Sequence, residues 1–285
     1  MVTGIVSVQA GAGLAARLFS QIPPAALTGL RLWAAAVLLA VWAHRGVATA
    51  VRSLARRRAW RDTAVVAGFG LTLAVMNYSI YQSFARIPLG IAVTVEFLGP
   101  LAVAVASSRR AIDLLWVALA AGGVILLTPA GHAGWHGQVT AGLAFALLSA
   151  AGWAAYILLS RATGRRFTGS AGLAIAMLVA AVAVAPAGVA AGGAALLRPA
   201  IIGLGIAIGL LSSIIPYSLE LETLRRVSAR VFGIWMSLEP AVAALVGLIL
   251  LGQALSPREW AAIGCVIAAC AGAARGARQP PPPQA

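Results

Sequence analysis

Long apolar runs, separated by short gaps that contain arginine, constrain the fold of this chain more than any other feature. Ten such runs can be marked, at 2–16, 25–43, 63–84, 89–106, 112–128, 141–159, 171–189, 201–221, 231–251 and 260–274. A helix needs about 20 apolar residues to cross a bilayer. Because the bilayer core offers no water to the backbone, segments of this kind cross it as helices. The runs therefore predict an all-α membrane protein with ten transmembrane helices.

The composition excludes a soluble globular fold. The chain has 285 residues, of which 61% are hydrophobic and 10% are charged. Soluble domains are about half apolar and about a quarter charged. The lipid bilayer is therefore the expected surrounding of most of the surface.

The net charge of +14 reflects membrane orientation and not nucleic-acid binding. The basic residues are all arginines, and no aromatic-basic motif of a nucleic-acid-binding module is present. Most of them lie in the gaps after runs two, four, six and eight and in the C-terminal tail. The opposite gaps hold only Arg17, Arg86, Arg198 and Arg258. Because cytoplasmic loops carry the excess of positive charge, both termini are predicted to be cytoplasmic.

The chain repeats part of itself at an offset of about 140 residues. Residues 96–100 (EFLGP) correspond to 237–240 (SLEP), and residues 77–79 (NYS) correspond to 216–218 (PYS). Each half contains five runs, and an odd number places the two halves in opposite orientations. Inverted repeats of this kind are typical of transporters, which bind their substrate near the midplane where the repeats meet.

The repeat also sets the predicted domain boundaries. Residues 1–130 form the first half with helices one to five, and residues 139–275 form the second half with helices six to ten. Residues 276–285 contain a run of prolines and are predicted to be a disordered tail.

Ionisable residues inside the runs are the main functional candidates, because a charge at bilayer depth is costly and usually faces a cavity. Glu96 and Glu239 each lie about eight residues into a run, about 12 Å deep. Each shortly precedes a proline, Pro100 or Pro240, which frees a backbone carbonyl and suits a hinge. The structural alternative is a protonated glutamate that only bonds to a neighbouring helix. Arg31 either binds a carboxylate or extends to the membrane surface.

Further polar and aromatic residues within the runs are candidates for the cavity wall. For the tyrosines and the tryptophan, ordinary packing is the alternative. For Glu220, which lies near the end of its run, a gate is the predicted role. These candidates are Asn77, Tyr78, Tyr81, Trp153, Tyr156, Tyr217, Ser218 and Glu220.

Several segments resemble one known family. They are residues 84–93 (FARIPLGIAV), 96–104 (EFLGPLAVA) and 107–110 (SSRR), with 215–220 (IPYSLE) and 236–241 (MSLEPA) in the second half. The sequence resembles the drug/metabolite transporter superfamily with EamA domains, and within it the threonine and homoserine exporter branch. The resemblance implies ten helices in two inverted halves and export of small neutral amino acids across the bacterial inner membrane. It also implies a longer N-terminus, so we expect helix one to be shortened at its start.

Gln253 departs from the family pattern. EamA repeats often carry glutamate where this sequence has Gln253 in residues 252–255 (GQAL). The substitution argues against an acidic role for that loop.

No catalytic motif, cofactor site or ATP-binding loop is recognised in the sequence, so we predict neither an enzyme, a cofactor nor an ATPase subunit. His132 and His136 flank a glycine-containing loop, where a metal site is not expected. Uphill export would then use an ion or substrate gradient, and proton exchange at a buried glutamate is one option. The open alternatives are export of a drug, purine or other metabolite, and an intramembrane enzyme or a non-transporting membrane protein. The oligomeric state stays open.

Overall fold

A computed structural model of the chain describes residues 2–57, 59–107, 110–127, 136–216, 219, 223 and 229–276. Within these ranges all regular elements are helical, which confirms the predicted all-α class. The helices are α1 (Val2–Arg17), α2 (Pro24–Trp42), α3 (His44–Arg57), α4 (Trp60–Phe84), α5 (Leu89–Glu96), α6 (Leu98–Ala106), α7 (Ile112–Leu127), α8 (His136–Gly164), α9 (Ala171–Gly192), α10 (Pro199–Gly209), α11 (Ala229–Met236), α12 (Glu239–Leu251) and α13 (Pro257–Gly276). A 3₁₀ turn (Gly193–Leu197) follows α9, and a π-helical turn (Leu210–Ile214) follows α10.

Six helical segments of the described chain are long and apolar enough to cross a membrane. They are Pro24–Trp42, Trp60–Phe84, Leu89–Ala106, Gly137–Gly164, Ala171–Leu197 and Val231–Leu251. Two shorter apolar helices, Ile112–Leu127 and Pro199–Ser212, fall on further runs that the sequence marked. The outer faces of these helices are strongly apolar, with Leu114 71% exposed and Ile249 76% exposed. Surfaces of this kind are stable against lipid and not against water.

Helix α3 was not expected from the apolar runs. It occupies the arginine-rich gap after run two, and its half-buried Ala50 and Leu54 pack against a core cluster formed by α2, α4 and α9. Arg45 and Arg52 on the same helix are exposed. The gap is therefore an amphipathic helix and not an extended loop.

The first half of the chain packs against the second along its length. Helix α2 packs on α9, α4 packs on α8 and α9, α7 packs on α13, and α1 and α5 both pack on α12. Two of the crossings are so close that only small residues fit. A Cβ added at Gly90 of α5 would lie 2.7 Å from the Cα of Ala244 of α12, and one at Gly99 of α6 would collide with the carbonyl of Ala150 of α8.

The turn after α12 links that helix to α5. Gly252 ends α12 in the left-handed conformation, with a φ of 67°, which suits glycine. Gln253 follows, and its Oε1 accepts a hydrogen bond of 2.9 Å from the backbone N–H of Leu89, the first residue of α5. That N–H has no partner within its own helix. Gln253 thus caps α5, a role that needs an acceptor and no acidic group.

Candidate functional site

A cavity of about 180 Å³ lies among helices from both halves of the chain. Helices α1, α2, α4 and α5 line it from the first half, and α8, the π-helical turn, α11 and α12 line it from the second. Several of the lining side chains are polar or charged. These are Gln9, Arg31, Asn77, Glu96, Ser212 and Glu239.

Arg31 is the basic side chain of the cavity and is only 8% exposed. Its Nη2 donates a hydrogen bond to Oδ1 of Asn77, whose own Nδ2 donates to the carbonyl of Leu73 at 2.8 Å. The guanidinium also lies 4.8 Å from the centroid of the Tyr81 ring. Arg31 makes no ion pair with any carboxylate among the residues that the structure describes. Its charge is therefore held in place by neutral groups and stays available to an anion.

Glu96, the last residue of α5, is 9% exposed and is held from behind by α8. Ser149 Oγ lies 2.5 Å from Glu96 Oε1 and 3.0 Å from the carbonyl oxygen of Met76. A hydroxyl carries one hydrogen, so Ser149 can donate to only one of these oxygens at a time. When Glu96 is ionised, Ser149 donates to it. When Glu96 is protonated, the carboxyl donates to Ser149 Oγ and the Ser149 hydrogen turns to Met76.

Glu239, the first residue of α12, is 6% exposed and contacts α1. Gln9 Nε2 donates a hydrogen bond of 2.8 Å to Glu239 Oε1. An amide nitrogen only donates, so Oε1 of Glu239 is the accepting oxygen in this contact. Gln9 and Ser149 lie about 140 residues apart, the same offset as the sequence repeat.

The two prolines follow interruptions of the helices that carry the glutamates. Proline has no N–H, so Pro100 leaves the carbonyl of Glu96 without its helical donor, and Pro240 does the same to the carbonyl of Met236. Glu96 and Met236 both line the cavity. The helical path is interrupted between α5 and α6 and between α11 and α12. Neither proline lines the cavity itself.

Aromatic side chains form part of the cavity wall. Tyr81, Trp153 and Tyr156 line it. Trp153 meets Phe97 edge to face, with ring centroids 4.9 Å apart, and Tyr156 packs against Phe69 at 5.4 Å. Such contacts fix the rings in orientation.

The structure brings together most, but not all, of the residues selected from the sequence. Tyr78 does not line the cavity and packs against the core cluster of α2, α4 and α9. Tyr217, Ser218 and Glu220 lie outside the described residues. The sequence did not single out Gln9, Ser149 or Ser212. Their only signal was a polar residue inside an apolar run, which occurs at many positions.

A buried arginine and two buried glutamates around a small cavity within apolar helices are typical of membrane proteins that bind a polar solute or an ion. Comparison with known proteins specifies the class. Residues 140–275 match the EamA-like transporter family. The threonine/homoserine exporter RhtA of Escherichia coli (strain K12) is 40% identical over 272 residues, which cover 95% of this chain and 89% of that protein.

The threonine/homoserine exporter RhtA of Salmonella typhimurium (strain LT2) is 39% identical over 275 residues, covering 96% of this chain and 90% of that protein. A solved crystal structure with 20% identity has the same fold, with a TM-score of 0.62 over 95% of this chain and 94% of that chain. The chain belongs to the EamA-like transporter family, which is a family of transporters and not of enzymes. The resemblance inferred from residues 84–110 and 215–241 is thereby confirmed.

Proposed function

We propose that the protein is a secondary transporter that exports small neutral amino acids such as threonine and homoserine from the bacterial cytoplasm. The observation that carries the proposal is that Arg31, which makes no ion pair within the described part of the chain, shares one cavity with Glu96 and Glu239. An amino acid in solution is a zwitterion, so it needs a positive partner for its carboxylate and a negative partner for its ammonium. The similarity to the RhtA exporters supports the same substrate class.

In this mechanism Arg31 binds the substrate carboxylate, and Glu96 or Glu239 binds the ammonium. The carbonyls of Glu96 and Met236, freed by the two prolines, add acceptors for the ammonium hydrogens. The cavity of about 180 Å³ favours this class over drugs, because pockets for drug-sized ligands measure about 300–1,000 Å³.

Transport proceeds by alternating access between two inverted halves of five helices each. The repeat at about 140 residues supports this arrangement, and so do the pairings of α2 with α9 and of α7 with α13 across the halves. Hinges at Pro100 and Pro240 let the interrupted helices bend. The arginine excess, including the exposed Arg45 and Arg52 of α3, supports cytoplasmic termini in the inner membrane.

Proton exchange at Glu96 couples export to the proton gradient. The support is the contact with Ser149, which bonds to Glu96 whether or not the carboxyl carries its proton. The other charged or titratable groups that line the same cavity are Arg31 of α2, Tyr81 of α4, Tyr156 of α8 and Glu239 of α12. Substrate and proton would then enter one cavity, and the charge that one of them brings alters the binding of the other.

Counterflow in proteoliposomes tests the function. Purified protein should exchange labelled threonine and homoserine against the same unlabelled amino acids, whereas a purine and a cationic dye should not compete. Arg31→Gln should reduce exchange at least about tenfold, because it removes a charged hydrogen-bond donor. Arg52→Gln, at an exposed position of α3, is the matched control and should leave exchange unchanged. Exchange of the dye or the purine in place of the amino acids would refute the proposal.

A further inference from the structure

The cavity contains polar atoms that the mechanism above does not use. Gln9 Oε1, Tyr81 Oη and Ser212 Oγ are buried and, apart from an interaction between the two hydroxyls, have no hydrogen-bond partner among the residues that the structure describes. All three side chains line the cavity. Because an unbonded buried polar group costs free energy, such atoms collected in one cavity indicate a missing ligand group.

The local backbone holds Ser212 at the contact between α1 and the π-helical turn. Ser7 Oγ of α1 donates a hydrogen bond of 2.8 Å to the carbonyl of Leu211 in that turn. Gly11, on the next turn of α1, leaves the space that the Ser212 hydroxyl occupies. A Cβ at Gly11 would contact Ser212 Oγ and would lie 3.2 Å from the Cβ of Leu211. The π-helical turn thus places Ser212 against α1, and turns of this kind are frequent at functional sites.

The chemistry of the three atoms fits a hydroxyl group. Gln9 Oε1 can only accept a hydrogen bond, whereas the hydroxyls of Tyr81 and Ser212 can donate or accept. A ligand hydroxyl can donate to Gln9 and at the same time accept from Tyr81 or Ser212. An ammonium could not accept, and a carboxylate could not donate.

We propose that Gln9, Tyr81 and Ser212 form a subsite for the side-chain hydroxyl of the substrate, so that the transporter selects hydroxy amino acids over amino acids of the same shape without a hydroxyl. The inference rests on the proposed function and deepens it. Arg31 and the glutamates bind the groups common to all amino acids and therefore cannot discriminate between side chains. The hydroxyl subsite supplies the discrimination, because an analogue without a hydroxyl leaves these polar atoms unbonded.

Competition in counterflow tests the selection. Valine has a methyl group where threonine has its hydroxyl, and norvaline relates to homoserine in the same way. We expect valine and norvaline to compete about 10- to 100-fold more weakly than threonine and homoserine. If threonine exchanges but valine competes equally well, the subsite is refuted and the proposed function stands. If neither hydroxy amino acid exchanges, the proposed function fails and the subsite fails with it.

Two conservative variants assign the selection to residues. Tyr81→Phe and Ser212→Ala each remove one oxygen and keep the surrounding packing. In each variant the ratio of threonine transport to valine transport should move towards one. Valine transport itself should be retained or increased. Misfolding cannot produce a gain in valine transport, so this readout separates recognition from stability. Ser107→Ala, at an exposed position whose hydroxyl bonds to Val103, is the matched control. A wild-type preference in both variants would refute the subsite.

Discussion

The two buried glutamates occupy similar places in the molecule but have different partners. Glu96 ends α5 and Glu239 begins α12, and each lies beside a break in the helical path. Glu96 contacts the Ser149 hydroxyl of α8, and Glu239 contacts the Gln9 amide of α1. The partners are related by the repeat offset of about 140 residues, whereas the glutamates themselves are not at equivalent positions.

The difference lies in what each partner can do when a proton binds. Ser149 accommodates a protonated Glu96 by rotating one hydrogen towards Met76. Gln9 donates to Glu239 Oε1, so a proton on that oxygen would require the whole Gln9 amide group to turn before it could accept the new hydrogen bond. We therefore propose a division of roles in which Glu96 exchanges protons and Glu239 keeps its charge for the substrate ammonium.

Replacing Glu96 should have the largest effect on transport. Glu96→Gln keeps the volume and the contact with Ser149 but cannot release a proton. We expect export driven by a pH gradient to fall about 100-fold, while counterflow, which needs no net proton movement, falls at most about tenfold. Both modes are measured with labelled threonine in proteoliposomes at matched protein content. Asp62→Asn, at an exposed ion pair with Arg166, is the control.

Replacing Glu239 should act on binding and not on coupling. Glu239→Gln removes the negative charge, so we expect the concentration for half-maximal counterflow to rise about tenfold. The dependence of export on the pH gradient should stay as in the unmodified protein. Wild-type transport in both the Glu96 and the Glu239 variants would show that these carboxyls serve only helix packing.

Removing the Ser149 hydroxyl should alter the pH profile more than the rate. Ser149→Ala removes the charge-assisted hydrogen bond to ionised Glu96, which is stronger than the neutral one to the protonated form. Glu96 should then stay protonated up to a higher pH. The profile of pH-driven export should accordingly move about one unit towards higher pH. Ser149→Thr retains a hydroxyl and should restore the profile. An unchanged profile in Ser149→Ala would remove the basis for assigning proton exchange to Glu96.

The smallest expected effect is on stability. It concerns Gln253, which links α12 to α5. Gln253→Ala removes the cap from α5, which should destabilise the protein by about 1 kcal/mol. For a chain of this size we expect the melting temperature in detergent to fall by about 2–4 °C. Gln138→Ala, at an exposed position of α8, is the matched control and should melt as the unmodified protein does. Equal melting of the two variants would mean that α5 is held without the cap.

The sequence predicted those parts of the site that carry charge. Arg31, Glu96 and Glu239 stand out because charged residues are rare within apolar runs, and that rarity follows from the free energy of burying a charge. Gln9, Ser149 and Ser212 do not stand out, because small polar residues are common in membrane helices and can bond to their own backbone. Their roles depend on contacts between distant residues, such as Gln9 with Glu239, which no local pattern encodes.

The fold was predictable to a similar degree. Hydropathy alone predicted the helical class, because a bilayer permits few other structures. It did not predict α3, because that segment is too polar to form an apolar run and its helix depends on packing by Ala50 and Leu54. The arrangement of ten spans in two inverted halves stays a prediction.

The close crossing of α5 and α12 has a consequence for how this protein can diverge. At Gly90 the two helices touch through backbone and the Ala244 methyl, so any larger residue there would push them apart. Substitution at this crossing is therefore restricted to small residues, whereas Trp153 and Tyr156 on α8 face the cavity. New substrate preferences in descendants of this sequence should arise through the aromatic wall, with the scaffold that holds Glu96 and Glu239 left in place.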